Sequence, residues 1–95
     1  MRLLAPHSKD WFAALSRTDP QEAAHTRQII KAAGRSDVCS LCGGQPARDY
    51  EVMNHWFDPQ TQATFRLCDD CMSLRATTEG HQFVMLTEDM HVVNG

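Results

Sequence analysis

Two short stretches of this chain decide its fold, Cys39-Ser40-Leu41-Cys42 and Cys68-Asp69-Asp70-Cys71, and they contain its four cysteines. In each C-x-x-C pair, two thiols separated by two residues can point to the same side of a tight turn. Two such pairs brought together supply the tetrahedral sulfur shell that zinc prefers in structural sites. The spacing therefore predicts one structural zinc ion bound by Cys39, Cys42, Cys68 and Cys71. A mononuclear iron site, disulfides and a redox-active pair are the alternatives.

Length and composition are those of one small domain. The chain has 95 residues, of which 42% are hydrophobic, and we expect residues 1–95 to form a single domain. A domain of this size buries a modest fraction of its surface, so a metal ion would add stability that the core alone cannot supply. The apolar stretch before Pro6 is too short for a secretory signal, and no run approaches membrane-spanning length. These features predict a cytoplasmic protein, and a reducing compartment keeps the thiols available for metal.

Charge is distributed unevenly along the chain. Residues 1–38 contain six Lys/Arg and four Asp/Glu, whereas residues 39–95 contain three Lys/Arg and eight Asp/Glu, so the cysteine-containing part is acidic. Affinity for nucleic acid comes mainly from Lys and Arg side chains that neutralise phosphates. The cysteine-containing part alone is therefore a poor candidate for binding DNA or RNA.

Two helices are predicted in residues 8–34, before the first cysteine pair. Ser8 is a suitable N-cap for a short helix that ends before Thr18. Asp19 is the N-cap of a second helix, with Pro20 at its first position, and Gly34 is a suitable left-handed C-cap.

The cysteine-containing part predicts a turn, a hairpin and a helix, in that order. Gly43 and Gly44 follow the first pair and allow the backbone to turn beneath a metal ion, with amides directed at thiolates. Residues 48–57 and 62–67 are predicted to be two strands joined by a turn. The second pair opens a helix that ends before Gly80. Residues 82–86 are predicted to form a last short strand, and residues 87–95 a loose tail.

This order resembles the treble-clef zinc finger, which consists of a knuckle, a β-hairpin and a helix that carries the last two ligands at its start. The resemblance covers residues 39–80 and implies an α+β fold with Cys39, Cys42, Cys68 and Cys71 as the zinc ligands. Two helices followed by a four-cysteine finger are also similar to small bacterial zinc-binding proteins of unassigned activity.

A second resemblance concerns the HNH nucleases, which share this scaffold. The segment Asn54-His55-Trp56-Phe57-Asp58-Pro59 and the second cysteine pair resemble the HNH pattern, and His55 matches the general base. Asn54 and Met72 stand where that family has ligands of its catalytic metal, and neither an amide nor a thioether is a good ligand for a hard divalent cation. We therefore expect no enzymatic activity, with a degenerate nuclease as an alternative. The remaining histidines, His7, His25, His81 and His91, do not form pairs at metal-ligand spacing.

Two surfaces have alternative interpretations. Arg27, Lys31 and Arg35 recur every four residues on one side of the second helix. They form either a solvated face or a contact surface for phosphates or an acidic partner. Trp56 and Phe57, next to the hairpin turn, either fold onto the helices or form an exposed binding patch.

The function predicted from these observations is that of a non-enzymatic domain with a structural zinc ion that mediates protein–protein interaction as an adaptor or regulatory subunit. Nucleic-acid binding through the basic helix face is the alternative.

Overall fold

Three helices and one four-stranded sheet make up the part of the chain that the computed structural model describes, residues 2–86. In chain order the elements are β1 (Arg2–Leu3), α1 (Lys9–Thr18), α2 (Pro20–Ala33), β2 (Arg48–Asp58), β3 (Thr61–Leu67), α3 (Asp69–Thr78) and β4 (Phe83–Met85). The predicted α+β class is confirmed. The predicted tail, residues 87–95, lies outside the described residues, and the division into a helical part and a finger part stays a prediction.

The helices begin at the predicted residues because side-chain caps satisfy their first free amides. The Ser8 hydroxyl accepts a hydrogen bond from the Trp11 amide at 3.2 Å. The Asp19 carboxylate accepts one from the Glu22 amide at 3.0 Å, and Pro20 occupies the first turn of α2. Gly34 ends α2 with a φ of 72°, a left-handed conformation that glycine adopts without strain.

The strands lie in the order β1-β3-β2-β4. Strands β2 and β3 form the predicted antiparallel hairpin, and β4 pairs antiparallel with the other edge of β2. Strand β1 was not predicted, because two residues are too few to show an alternating pattern. It runs parallel to β3, with Arg2 opposite Thr61.

A wide bulge interrupts the hairpin. Glu51 pairs with Thr64, but the next pair along the ladder is Trp56 with Gln62. Residues 52–55 of β2 therefore stand opposite one residue of β3. The Gln62 carboxamide, with the residue 3% exposed, fills the gap and donates to the Val52 and His55 carbonyls.

The outer edge of the bulge is held by Asn54. Its amide nitrogen donates to the Gly80 carbonyl at 3.0 Å, and its side-chain oxygen accepts from the Gln82 amide at 3.0 Å. These bonds fix the segment between α3 and β4 against β2. They also place His55 at the surface beside that segment.

The hydrophobic core is centred on Trp11, which is fully buried. Its indole N–H donates to the Thr64 carbonyl at 2.7 Å, and its ring meets those of Phe57 and Phe65 edge to face with centroids 6.0 Å apart. Of the two neighbouring aromatic residues near the turn, Phe57 is buried and Trp56 is 45% exposed. Phe57 therefore folds onto the helices, and Trp56 is exposed; a binding role for Trp56 stays a prediction.

His7 connects the chain before α1 to the first cysteine pair. One ring nitrogen lies 2.7 Å from the Ser36 carbonyl oxygen and the other 2.6 Å from the hydroxyl oxygen of Ser40, which is fully buried. Burial lowers the pKa of His7 from its ordinary value of 6.5, an effect that the nearby Arg66 reinforces. The neutral ring fits these contacts, since one nitrogen donates to the carbonyl and the other accepts from the hydroxyl.

Substituting Gln62 by leucine should destabilise the fold by about 1–3 kcal/mol, because two carbonyl groups inside the bulge would lose their donor. Urea unfolding followed by tryptophan fluorescence measures this loss. The exposed Gln28→Leu change on α2 is the matched control, and its effect should stay within about 0.5 kcal/mol. Equal stability of the two variants would contradict the role assigned to Gln62.

The free energy of unfolding should decrease as the pH falls below about 6.5, because the unfolded chain binds a proton at His7 more strongly than the folded chain does. The contribution is fully present above the ordinary pKa of histidine and is lost as the pH falls toward the lowered pKa of the folded state. Urea unfolding between about pH 8 and pH 5 tests this. The His7→Gln variant should show a smaller pH dependence over this range, and an unchanged dependence would count against the assignment.

Candidate metal centre

The four cysteine side chains converge on one point. Their sulfur atoms all lie within 4.8 Å of one another, and the Sγ atoms of Cys42 and Cys68 are 3.6 Å apart. Sulfur atoms about 2.3 Å from a tetrahedral zinc ion would be about 3.8 Å apart, so the cluster is close to the size that such an ion requires. All four thiols are free of disulfide bonds. Within residues 2–86, no other group of three or more His, Cys, Asp or Glu side chains converges in this way. The cluster is thus arranged to bind a metal ion.

The first pair lies in the turn after α2. Cys39 is buried, and the Gly43 amide donates to its carbonyl at 3.0 Å. Gly43 has a φ of 76°, and a Cβ atom on it would lie 3.1 Å from Ile29. A Cβ atom on Gly44 would lie 3.2 Å from the Cys42 sulfur. A side chain at either position would therefore crowd a neighbouring side chain, and at Gly43 the positive φ adds backbone strain.

The second pair lies at the start of α3. Cys68 is the N-cap of this helix and makes no side-chain capping hydrogen bond, so its sulfur remains available to the cluster. The positive end of the helix dipole stabilises negative charge at this terminus. The hairpin brings the terminus to the first pair, because β3 leads directly into α3.

Hydrogen bonds from the backbone prepare the cluster for thiolates. The Leu41 amide lies 3.4 Å from the Cys39 sulfur, and the Gly44 amide lies 3.3 Å from the Cys42 sulfur. Burial alone would raise the pKa of Cys39, but hydrogen bonds from the amides of Cys68, Leu41 and Cys42, with one from the Cys71 thiol, lower the pKa to about 7.

The Cys71 and Cys42 thiols resist ionisation, because their pKa values are raised. Burial raises the pKa of Cys71, and the neighbouring thiols raise it further; burial also raises the pKa of Cys42. Four negative charges cannot gather here without a cation among them. A bound divalent ion supplies that charge and converts the four thiols into ligands as their protons leave.

The residues at the HNH-like positions have structural contacts. The Asn54 side chain bonds to the backbone of residues 80 and 82. Met72 is partly buried against the core. His55 is exposed, and within residues 2–86 it belongs to no group of three or more His, Cys, Asp or Glu side chains that could hold a metal ion.

The structure brings together two histidines that sequence reasoning treated as separate. The rings of His55 and His81 stack with centroids 5.4 Å apart and planes inclined by 18°. The bulge in β2 and the hydrogen bonds of Asn54 produce this contact. The spacing of the histidines in the sequence predicts neither of these features.

Arg27 and Lys31 lie on the exposed face of α2, as predicted, whereas Arg35 follows the C-cap Gly34 and lies outside the helix. Arg27 and Arg35 also have partners in the chain. The Arg27 guanidinium lies over the Phe12 ring, 4.8 Å from its centroid. Arg35 forms a two-pronged ion pair with Asp37. This face therefore offers less unpaired positive charge than the sequence suggests.

No helix in residues 2–86 is long and apolar enough to cross a membrane. Comparisons with protein-family models, with curated proteins and with solved structures found no match for the chain.

Replacing any one of the four cysteines with serine should abolish stoichiometric metal binding and lower the melting temperature by more than about 10 °C, since about 1 kcal/mol corresponds to 4–8 °C in a domain of this size. Elemental analysis and thermal denaturation of each purified variant measure both effects. Ser73→Ala, at an exposed position on α3, is the control and should resemble the wild type. A cysteine variant with an unaltered melting curve would contradict the assignment.

Proposed function

We propose that this chain is a treble-clef-like domain with one structural zinc ion and that it mediates protein–protein interaction as an adaptor or regulatory subunit. The observation that carries the proposal is the convergence of four cysteines from two separate segments on one point. Four thiolates are soft ligands, which favour zinc over hard divalent cations. The order of turn, hairpin and helix with a cysteine pair at each end supports the treble-clef assignment.

A structural role for the ion follows from the number of its ligands. Four protein ligands fill a tetrahedral site and leave no position for a water molecule or a substrate, unlike catalytic zinc sites, which keep one position open. The ion would also hold α3 in place, since α3 contributes no fully buried residue to the core. Metal binding then replaces hydrophobic packing on this side of the domain.

Apolar side chains at the surface support a role in interaction. Within residues 2–86, five large hydrophobic residues are more than one-third exposed: Met53, Trp56, Leu74, Val84 and Met85. Met53 and Trp56 follow each other closely in the bulged strand. Aromatic residues and methionine are enriched in the centres of protein interfaces.

The absence of catalysis is also part of the proposal. Asn54 and Met72 contribute to the fold, so the HNH-like segment lacks a set of ligands for a catalytic ion. A nicking assay with magnesium or manganese, with His55→Ala as the control, tests this directly. Mobility-shift assays over a salt series test the nucleic-acid alternative, which requires binding that weakens with ionic strength.

Purified protein should contain about one zinc ion per chain, as expected for a single tetrahedral site. Elemental analysis after expression in medium supplied with both zinc and iron measures the occupancy. A red protein with the charge-transfer absorption of an iron–thiolate site would instead support a mononuclear iron centre.

Affinity capture from native lysate should recover a stoichiometric protein partner with the zinc-loaded chain. The partner should be lost with the unfolded Cys42→Ser variant, because the binding surface exists only in the folded domain. Met53→Glu places a charge in the exposed apolar surface on β2 and should reduce the amount of partner recovered. Thermal denaturation verifies that this variant is folded. Recovery of no stoichiometric partner would contradict the proposed role.

A further inference from the structure

A cleft of about 670 Å³ lies where the start of α2, the first cysteine pair, the bulge of β2 and the end of α3 meet. The ionisable side chains in its lining include Asp19, Glu22, His55, Arg75, Glu79 and His81. The volume is within the range of ligand-binding pockets, about 300–1,000 Å³. The metal centre shapes the cleft, since Leu41 between two of the cysteines and the helix that carries the other two form part of its walls.

The cleft has a surplus of negative charge. Its lining includes three carboxylates and one guanidinium, that of Arg75. Arg75 forms an ion pair with Glu22 and lies 3.4 Å from Glu79. The positive charge of Arg75 is thus shared between Glu22 and Glu79. A cation that enters the cleft would therefore meet the negative charge that Arg75 does not compensate.

The two stacked histidines form one wall. His81 is the inner ring, with its side chain 13% exposed and its Nε2 atom 3.4 Å from Glu79. His55 is the outer ring. Burial lowers the pKa of His55, and the nearby His81 lowers it further, so the outer ring is neutral at neutral pH. No residue in the described part of the chain forms a hydrogen bond with the ring nitrogens of His55.

These groups are too far apart to hold a single metal ion. Within residues 2–86, only the four cysteines converge tightly enough for that. The cleft instead matches an extended cation with several N–H donors and a flat shape. A guanidinium group stacks on aromatic rings and binds carboxylates with two parallel hydrogen bonds, whereas an ammonium group does neither as well.

We propose that this cleft binds an arginine side chain presented by a basic segment of the partner protein. The inference rests on the proposed interaction function and names its surface. The guanidinium would stack on His55 and bond to Glu79, whose residue surface is exposed and whose side chain is 46% accessible. Leu41 and Leu74, at the rim, would cover the methylene groups of the arginine.

A titration of the zinc-loaded, ¹⁵N-labelled chain with an acetylated, amidated peptide of alternating glycine and arginine tests the proposal. Chemical-shift changes should centre on His55, Glu79 and His81. A peptide with citrulline in place of arginine keeps the shape and removes the charge, so it should bind at least about tenfold more weakly, which corresponds to 1.4 kcal/mol. Binding of the arginine peptide should weaken as salt is added.

Two variants locate the site. Glu79→Gln and His55→Gln should each weaken binding of the arginine peptide about fivefold to tenfold, through loss of a charged hydrogen bond and of the stacking surface. Asp10→Asn makes the same change of net charge as Glu79→Gln at an exposed position on α1, outside the cleft lining, and should leave the affinity within about twofold. Thermal denaturation verifies that each variant is folded.

Three results would overturn the inference: no binding of the arginine peptide, equal binding of the citrulline peptide, or equal losses in Glu79→Gln and Asp10→Asn. Free arginine or spermine binding as tightly as the peptide would also overturn it, since the site would then accept a small cation and not a protein segment. Affinity capture separates this failure from that of the proposed function. A stoichiometric partner that still binds Glu79→Gln shows that the interaction role stands and that the cleft is not its surface.

Discussion

The attachment of α3 is the constraint on which the rest of this structure depends. The helix buries no residue completely, so hydrophobic packing alone holds it weakly. Its start is fixed by Cys68 and Cys71 in the sulfur cluster, and its middle by the ion pair of Arg75 with Glu22 on α2. A metal ion in the cluster would join α3 to the turn after α2, and the cleft between the two helices exists only while they are joined.

The hairpin contributes the second constraint, through a polar side chain inside the protein. Gln62 occupies the space that the extra residues of β2 create, and it satisfies two carbonyls that the ladder leaves without partners. The chain can therefore bend β2 without leaving buried polar groups unpaired. That bend turns His55 toward His81, and a regular strand would not.

Local patterns in the sequence predicted the parts of the fold that local chemistry determines. The two N-caps, the proline at the start of α2, the glycine at its end, the hairpin and the helix after the second cysteine pair all lie where side-chain and turn chemistry place them. The convergence of the cysteines could also be predicted, because their spacing carries the geometry of a tetrahedral site. Strand β1 could not be predicted, because its two residues join the sheet only by pairing with the edge of β3.

Local sequence patterns did not predict the contacts that depend on tertiary structure. The stacking of His55 on His81 requires the bulge, and the bulge depends on the fit of Gln62 between two strands. Similarly, the basic face of α2 is regular in sequence, yet Phe12 on another helix and Asp37 in the following turn determine how much of its charge is free. Both cases show that a residue's chemistry at the surface depends on neighbours that lie far along the chain or on another element.

The unequal burial of the four sulfur atoms gives the candidate metal centre a buried side and a solvent-facing side. Cys42 is exposed, Cys68 and Cys71 are partly covered, and Cys39 is buried. A chelator or an alkylating reagent arriving from solvent would therefore reach Cys42 before the others and Cys39 last. Ion exchange would proceed stepwise from the open side, and Cys39, within the hydrophobic core, would retain the ion longest.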